Sequence, residues 1–203
     1  MAKTPNVISL AITGASGACY GIRLLECLLK ADIKVYLMIS SPAKVVIATE
    51  TDWQLPSRND QIKTYLSQQF ATNPDKLEIF TRDQWMAPVA SGSNAPDAMV
   101  VCPCSTGTLS AISCGTSRTL IERAADVMLK EQRQLILVPR EAPLSVIHLE
   151  NMLKLAKIGV TVLPASPAFY HKPETISDMV DFVVARILDH LGVEQHLAPR
   201  WGD

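Results

Sequence analysis

Six stretches of this chain are apolar at nearly every position rather than at every second one. They lie at 7–13, 34–39, 77–80, 98–103, 135–138 and 160–163. Between them the apolar residues return with helical spacing, at 18–30, from 43 to 49, and at 60–70, 106–113, 120–131, 145–157 and 175–191. A strand that is apolar on both faces must be covered on both faces. Helical connections between such strands cover a parallel sheet in that way, because right-handed crossovers place helices above and below it. The fold class that follows is α/β: a doubly wound parallel sheet in three layers, flavodoxin-like or Rossmann-like, with all 203 residues in one domain.

Composition narrows the function. Apolar residues make up 48% and charged residues 19%, so much of the chain is expected to be buried in a core or in subunit contacts. Twenty acids against 19 bases leave a net charge of −1, with no basic block to hold nucleic acid. No apolar run has the length of a membrane span, and the opening MAKTP is too short and polar for a signal peptide, so the expected location is cytoplasmic. The five cysteines are odd in number, and the pair in VCPCS is spaced by one residue with no second pair, so no metal site is expected. The tail, about 192–203, is polar but carries Trp201, and is expected to pack on a neighbouring subunit.

In such folds ligands sit at the carboxyl ends of the strands. Six loops qualify: 14–17, 40–41, 91–94, 103–108, 140–143 and 164–172. ITGASGACYG follows the first strand and opens the first helix, where free N–H groups and the positive dipole end suit phosphate. Its spacing is not that of the dinucleotide fingerprint, and a plain turn with Ser16 near an N-cap also accounts for it. CPCSTGTLSAI repeats the device with Ser105, Thr106, Gly107 and Thr108. With SGSN (Ser91, Gly92) between them, the two loops suggest a cradle for an oxygen-rich ligand with a flat apolar ring, such as a flavin. Hydroxyl capping remains the plainer account of each serine and threonine.

Arg123 and Lys130 lie seven residues apart on one helix face, and Arg186 flanks an apolar stripe on the last helix. Cations so placed either snorkel or, gathered around a tyrosine such as Tyr170, make a phosphate site. Arg140 and Glu141 form a charged pair held between Pro139 and Pro143 at a strand end. Adjacent side chains in an extended loop point apart, so each is expected to serve a different partner. Desolvation of Glu141 would suit it to proton transfer. His148 and Glu150 lack a metal-ligand spacing and read as solvated or structural.

From about residue 7 to 201, TGASGACYGIRLLE, WMAPVASGSNAPDAMVVCPCSTGTLSAI, LIERAADVMLKE, LVPREAPLSVIHLENMLKLAKIGV, LPASPAFYHKP and DFVVARILDHLG resemble the UbiX flavin prenyltransferases, formerly called aromatic-acid decarboxylases. The resemblance implies transfer of a dimethylallyl group from dimethylallyl monophosphate to N5 and C6 of reduced FMN, without a metal. The product, prenylated FMN, is the cofactor of a separate UbiD-type decarboxylase. It also implies a homododecamer with sites at subunit junctions.

Carried over by motif, Gly14, Ala15, Ser16, Ser40, Ser105, Thr106, Gly107, Thr108 and Arg140 are the implied FMN contacts. Arg123, Lys130, Tyr170 and Arg186 are the implied grip on the donor phosphate, with Glu141 and Ser16 handling protons. Trp85, Ser91, Gly92 and Trp201 are the remaining donor-site residues. Two other readings stand beside this one: a flavin-dependent cysteine decarboxylase of the related fold, and a non-catalytic FMN-binding module. The first expects a catalytic His near the second helix and a PxMNxxMW-like segment, neither of which is present. The second leaves Glu141, Lys130 and Arg186 without a task.

Overall fold

The computed structural model describes residues 4–199 and Gly202. Strands β1 (Val7–Ile12), β2 (Lys34–Ile39), β3 (Leu77–Phe80), β4 (Ala98–Cys104), β5 (Gln134–Pro139) and β6 (Thr161–Val162) form one sheet in the order β3-β2-β1-β4-β5-β6. Every neighbouring pair is parallel. The chain order turns back between β1 and β4, and the loops after these two strands face a common crevice.

The helices are α1 (Ala18–Lys30), α2 (Ser41–Glu50), α3 (Asn59–Gln69), α4 (Thr106–Ser113), α5 (Leu120–Lys130), α6 (Val146–Lys157) and α7 (Ile176–Leu191). Their apolar faces sort them into two layers. Ile8, Leu10 and Ile12 of β1 pack with α1, α2, α3 and α7, while Ala11 and the matching residues of β4 and β5 pack with α4, α5 and α6. The three-layer fold expected from the strand pattern is the fold observed. The helix read as beginning within 43–49 starts earlier, because Ser40 caps it, accepting from the Ala43 N–H at 3.2 Å, and Pro42 occupies its first turn.

α6 departs from its neighbours. Only Leu155 on it is buried, and Val146, Ile147, Leu149 and Leu153 are more than half exposed. His148 completes a capping box at its start, its Nδ1 accepting from the Ser145 N–H at 3.2 Å, which gives this residue the structural role read for it.

The layer of α1 sits close to the sheet at Gly21, where a β-carbon would run into the Cys102 carbonyl and Ile12. Gly21→Ala should therefore destabilise the fold by about 1–3 kcal/mol, the usual cost of overpacking, although alanine is the better helix former. Chemical denaturation checks this, and an unchanged or higher midpoint would show that α1 can move away from β4.

Candidate functional site

The loops after β1 and β4 are bound to each other by one buried side chain. The Thr13 hydroxyl donates to the Pro103 carbonyl at 2.8 Å and accepts from the Ser105 N–H at 2.8 Å. The Thr13 N–H donates to the same carbonyl at 3.2 Å. Gly14 then lies against Pro42, which leaves no room for a β-carbon and brings the start of α2 over the β1 loop. Gly17 caps α1 with φ +101°, in the left-handed region that favours glycine. Ala15 is buried and its N–H is spent on the Thr13 carbonyl at 2.9 Å, so its side chain faces the protein.

The first turn of α1 was expected to offer free N–H groups to a phosphate. It does not. Glu50, the last residue of α2, places its carboxylate there and accepts from the Gly17 and Ala18 N–H groups at 2.8 and 3.1 Å. A carboxylate is the natural occupant of a helix N-terminus, satisfying donors and the dipole together. Partial burial alone pushes the Glu50 carboxyl up. The Ser16 hydroxyl, these two N–H groups and the nearby Arg140 guanidinium outweigh that and hold it below the ordinary carboxylate value. Ser16 is therefore not a cap. Its exposed side chain is hydrogen-bonded to Glu50, and its carbonyl accepts from Arg140 Nε at 3.1 Å.

The hydroxyl-bearing side of the cradle lies across the crevice. Ser105 caps α4, accepting from the Thr108 N–H at 3.3 Å, and its hydroxyl meets that of Thr108 at 3.0 Å. Capping thus explains Ser105 and Ser40 in part, as the plainer reading had it. Gly107 faces open space where a side chain would stand, and Thr106 beside it is half-buried. Ser40 and Thr108 line a cavity of about 290 Å³ floored by Met38, Phe80 and Ile121. Hydroxyls around an apolar floor, next to a glycine that leaves its side open, fit a flavin and its phosphate tail.

Arg140 and Glu141 point to different places, and no ion pair joins them among the described residues. Arg140 reaches back to the α1 loop, while the Glu141 carboxylate accepts from the neighbouring Ala142 N–H at 3.1 Å. Glu141 is exposed, so the desolvation expected for it is absent within one chain.

The cations expected around the donor phosphate are not gathered in one chain either. Arg123 donates to the Ala90 carbonyl at 3.1 Å and pairs with Asp126 at 2.9 Å. Lys130 pairs with Glu131, and both stand against Gly92, beside Ser91. Lys130 ends α5 four residues before β5 begins, which puts it at the amino edge of the sheet, away from the cradle. The SGSN turn goes with this group and does not bridge the two loops. Tyr170 and Arg186 belong to the opposite layer. Tyr170 meets Phe182 of α7 edge-on at 5.8 Å, and Arg186 pairs with Asp189 at 3.0 Å. Helix faces read from sequence gave the direction of each cation around its own axis but not which layer or edge it occupies. Trp85 is half-exposed in the turn after β3, and Trp201 lies outside the described residues.

The flavoprotein family model matches residues 1–188. A flavin prenyltransferase UbiX of Pseudomonas aeruginosa is 56% identical over 199 residues, which cover 98% of this chain and 95% of that one. The chain belongs to the UbiX flavin prenyltransferase family. Two solved structures of UbiX proteins agree with the fold. AnUbiX (PadA1), in complex with FMN and dimethylallyl pyrophosphate, is 38% identical with a TM-score of 0.86 over 98% of each chain. A dodecameric FMN-dependent UbiX-like decarboxylase of Escherichia coli O157:H7 is 40% identical with a TM-score of 0.86, over 97% of this chain and all of the other.

For this UbiX-family chain, sequence reasoning missed Thr13 and Glu50. Thr13 was read as the end of a strand, and Glu50 is 33 positions from the loop it completes, so no local spacing connects them. Among the described residues no cluster of three His, Cys, Asp or Glu side chains has the arrangement of a metal site, and no helix is long and apolar enough to cross a membrane.

Because the Glu50 carboxyl is held below its ordinary value, its contribution to stability is fully present above the usual carboxylate range and is lost as pH falls through the lowered folded value. Glu50→Gln should thus be less stable than the parent at pH 7. The gap should narrow as the pH is taken below about 4, near the ordinary carboxylate value. Thermal melts of both proteins across that range provide the check, and a gap independent of pH would mean that the charge is not what holds α1.

Proposed function

We propose that the chain is a flavin prenyltransferase that moves the dimethylallyl group of dimethylallyl monophosphate onto N5 and C6 of reduced FMN and releases inorganic phosphate. The observation that carries this reading is the crevice at the turning point of the sheet. A hydroxyl-lined cavity reaches Pro42, which lies against Gly14 of the loop that carries the Ser16–Glu50–Arg140 network. Reduced FMN, when bound, supplies the nucleophilic nitrogen and carbon.

The protein's part is to place and neutralise. Ser40, Ser105, Thr106, Gly107 and Thr108 hold the flavin on the hydroxyl side, and Gly14, Ala15, Ser16 and Arg140 bound it on the other. Ser16 and Glu141 carry the proton that the transfer releases, with Glu50 behind Ser16 keeping its hydroxyl oriented. The donor's C–O bond breaks most readily when the leaving phosphate meets fixed positive charge, a task suited to Arg123, Lys130 and Arg186 with the Tyr170 hydroxyl. Trp85, Ser91, Gly92 and Trp201 complete the walls, dry and π-rich as an allylic cation requires.

One chain does not bring these groups together, so the grip closes between subunits. A homododecamer of the kind named for the Escherichia coli relative buries the apolar face of α6 and joins the α5 edge of one subunit to the cradle of another. In the same reading the chain is a single domain whose tail, 192–203, packs on a neighbour. The product is handed to a UbiD-type decarboxylase. The five cysteines are all free thiols, as suits work in the cytoplasm. A store for FMN would need neither the cations of α5 nor the Ser16–Glu50 pair.

Anaerobic incubation with reduced FMN and dimethylallyl monophosphate should yield a flavin heavier by one C5H8 unit, read by mass spectrometry. Unchanged flavin mass would refute the activity. Glu141→Gln should keep FMN affinity and lose turnover at least about a hundredfold, the low end of what a proton-transfer group contributes. Co-assembly of Lys130→Ala with Glu141→Gln subunits tests the shared site. Part of the activity should return in the mixed oligomer, whereas a site built within one chain would show none.

A further inference from the structure

The cavity that Ser40 and Thr108 open into has a far wall that no motif singled out, made by Thr81 and Arg82 after β3 and by Thr119 at the start of α5. Arg82 is the one cation among its lining residues. Its main chain is fixed, since its carbonyl accepts from the Leu120 N–H at 2.8 Å, which ties the β3 loop to the first turn of α5. Its guanidinium is not. The side chain is 68% exposed and its contact is Asp83 at 3.9 Å, beyond hydrogen-bond distance.

The carboxylate nearest in the wall is turned elsewhere. Glu122 accepts from the Arg118 N–H at 2.7 Å and from the Thr116 hydroxyl at 3.4 Å, and the loose ion-pair partner of Arg82 is Asp83 instead. On the other side of the crevice, the end of α1 that would attract an anion is already filled by Glu50. The lining of the cavity thus carries one guanidinium, that of Arg82, while the α1 end is closed to an anion by Glu50.

We infer that Arg82 grips the terminal phosphate of the flavin and sets the preference for FMN over riboflavin. This rests on the flavin reading above. The guanidinium fork matches two oxygens of a phosphate monoester, while the Ser40, Thr108 and Thr119 hydroxyls offer donors to the same space. Riboflavin ends in a neutral hydroxyl at that point and gains nothing from the charge. The ring system, held by the β1 and β4 loops, is indifferent to Arg82.

The test is a titration of the purified protein, stripped of flavin, with FMN and separately with riboflavin, followed by flavin fluorescence. Arg82→Gln should raise the Kd for FMN about tenfold, the low end for a hydrogen bond to a charged group, and leave riboflavin within about twofold. Added salt should erode FMN binding to the parent more than to the variant. Arg82→Lys keeps the charge without the fork and should fall between. Equal weakening of both flavins would mean that Arg82 only packs the wall. FMN binding unchanged, with a higher KM for dimethylallyl monophosphate, would mean that it serves the donor instead. Either result overturns the inference. A parent protein that binds neither flavin would overturn the flavin reading itself, which separates the two failures.

Discussion

A threonine hydroxyl joins the two halves of this fold at the place where ligands enter it. Parallel strands leave their connecting loops at one edge, and where the chain order reverses the loops on either side diverge. Left alone, the β1 and β4 loops would be separate pieces of surface. Thr13, itself buried, donates to the Pro103 carbonyl and accepts from the Ser105 N–H, both at 2.8 Å, the first buried and the second partly so. Two hydrogen bonds so placed resist opening, because each broken one strands a buried polar group at about 1–3 kcal/mol. The crevice is therefore preformed, and what lines it is fixed relative to the sheet.

On that frame the charges are sorted. A helix N-terminus attracts any anion, and the α1 end would compete for the same phosphate as the cavity opposite. Glu50 removes the competition by occupying it from within the chain. The same carboxylate is hydrogen-bonded to Ser16 and lies near Arg140, which holds the Ser16 carbonyl. One residue fills a helix N-terminus and holds a neighbouring hydroxyl. A loop with the look of a phosphate cradle thus has its helix N-terminus filled, which leaves its hydroxyl for the proton handling proposed above.

The fold was legible because its strands are buried on both faces. Near-continuous apolar runs point to a covered parallel sheet, and boundaries shifted by one or two residues, at α2 because Ser40 caps it. The site was legible as far as loops at strand ends go, because topology collects those at one edge. Thr13 and Glu50 were not, since their importance lies in contacts across 92 and 33 positions that no spacing encodes. The positions of the cations were not legible for a related reason. Periodicity placed Arg123 and Lys130 on one face of α5, and they do share the 90–92 turn. It carried no information on how far along the helix axis each residue stands from the edge that bears the cradle.

Two features that look like shortcomings of the single chain have a common origin. α6 leaves a row of apolar side chains uncovered, and the cations suited to a phosphate stand at the wrong edge or in the wrong layer. A monomer would keep neither, because exposed aliphatic surface favours association and paired surface cations add little stability. A closed assembly accounts for both at once. In the assembly proposed above, burial of α6 would supply binding energy, and the geometry of that contact would decide which neighbour's α5 and α7 meet the cradle. In that proposal the acids paired with these cations (Asp126, Glu131 and Asp189) would act as placeholders, keeping each side chain partly neutralised until a phosphate competes for it. The donor site of the proposed assembly would form only where subunits meet, which would tie catalysis to the oligomer.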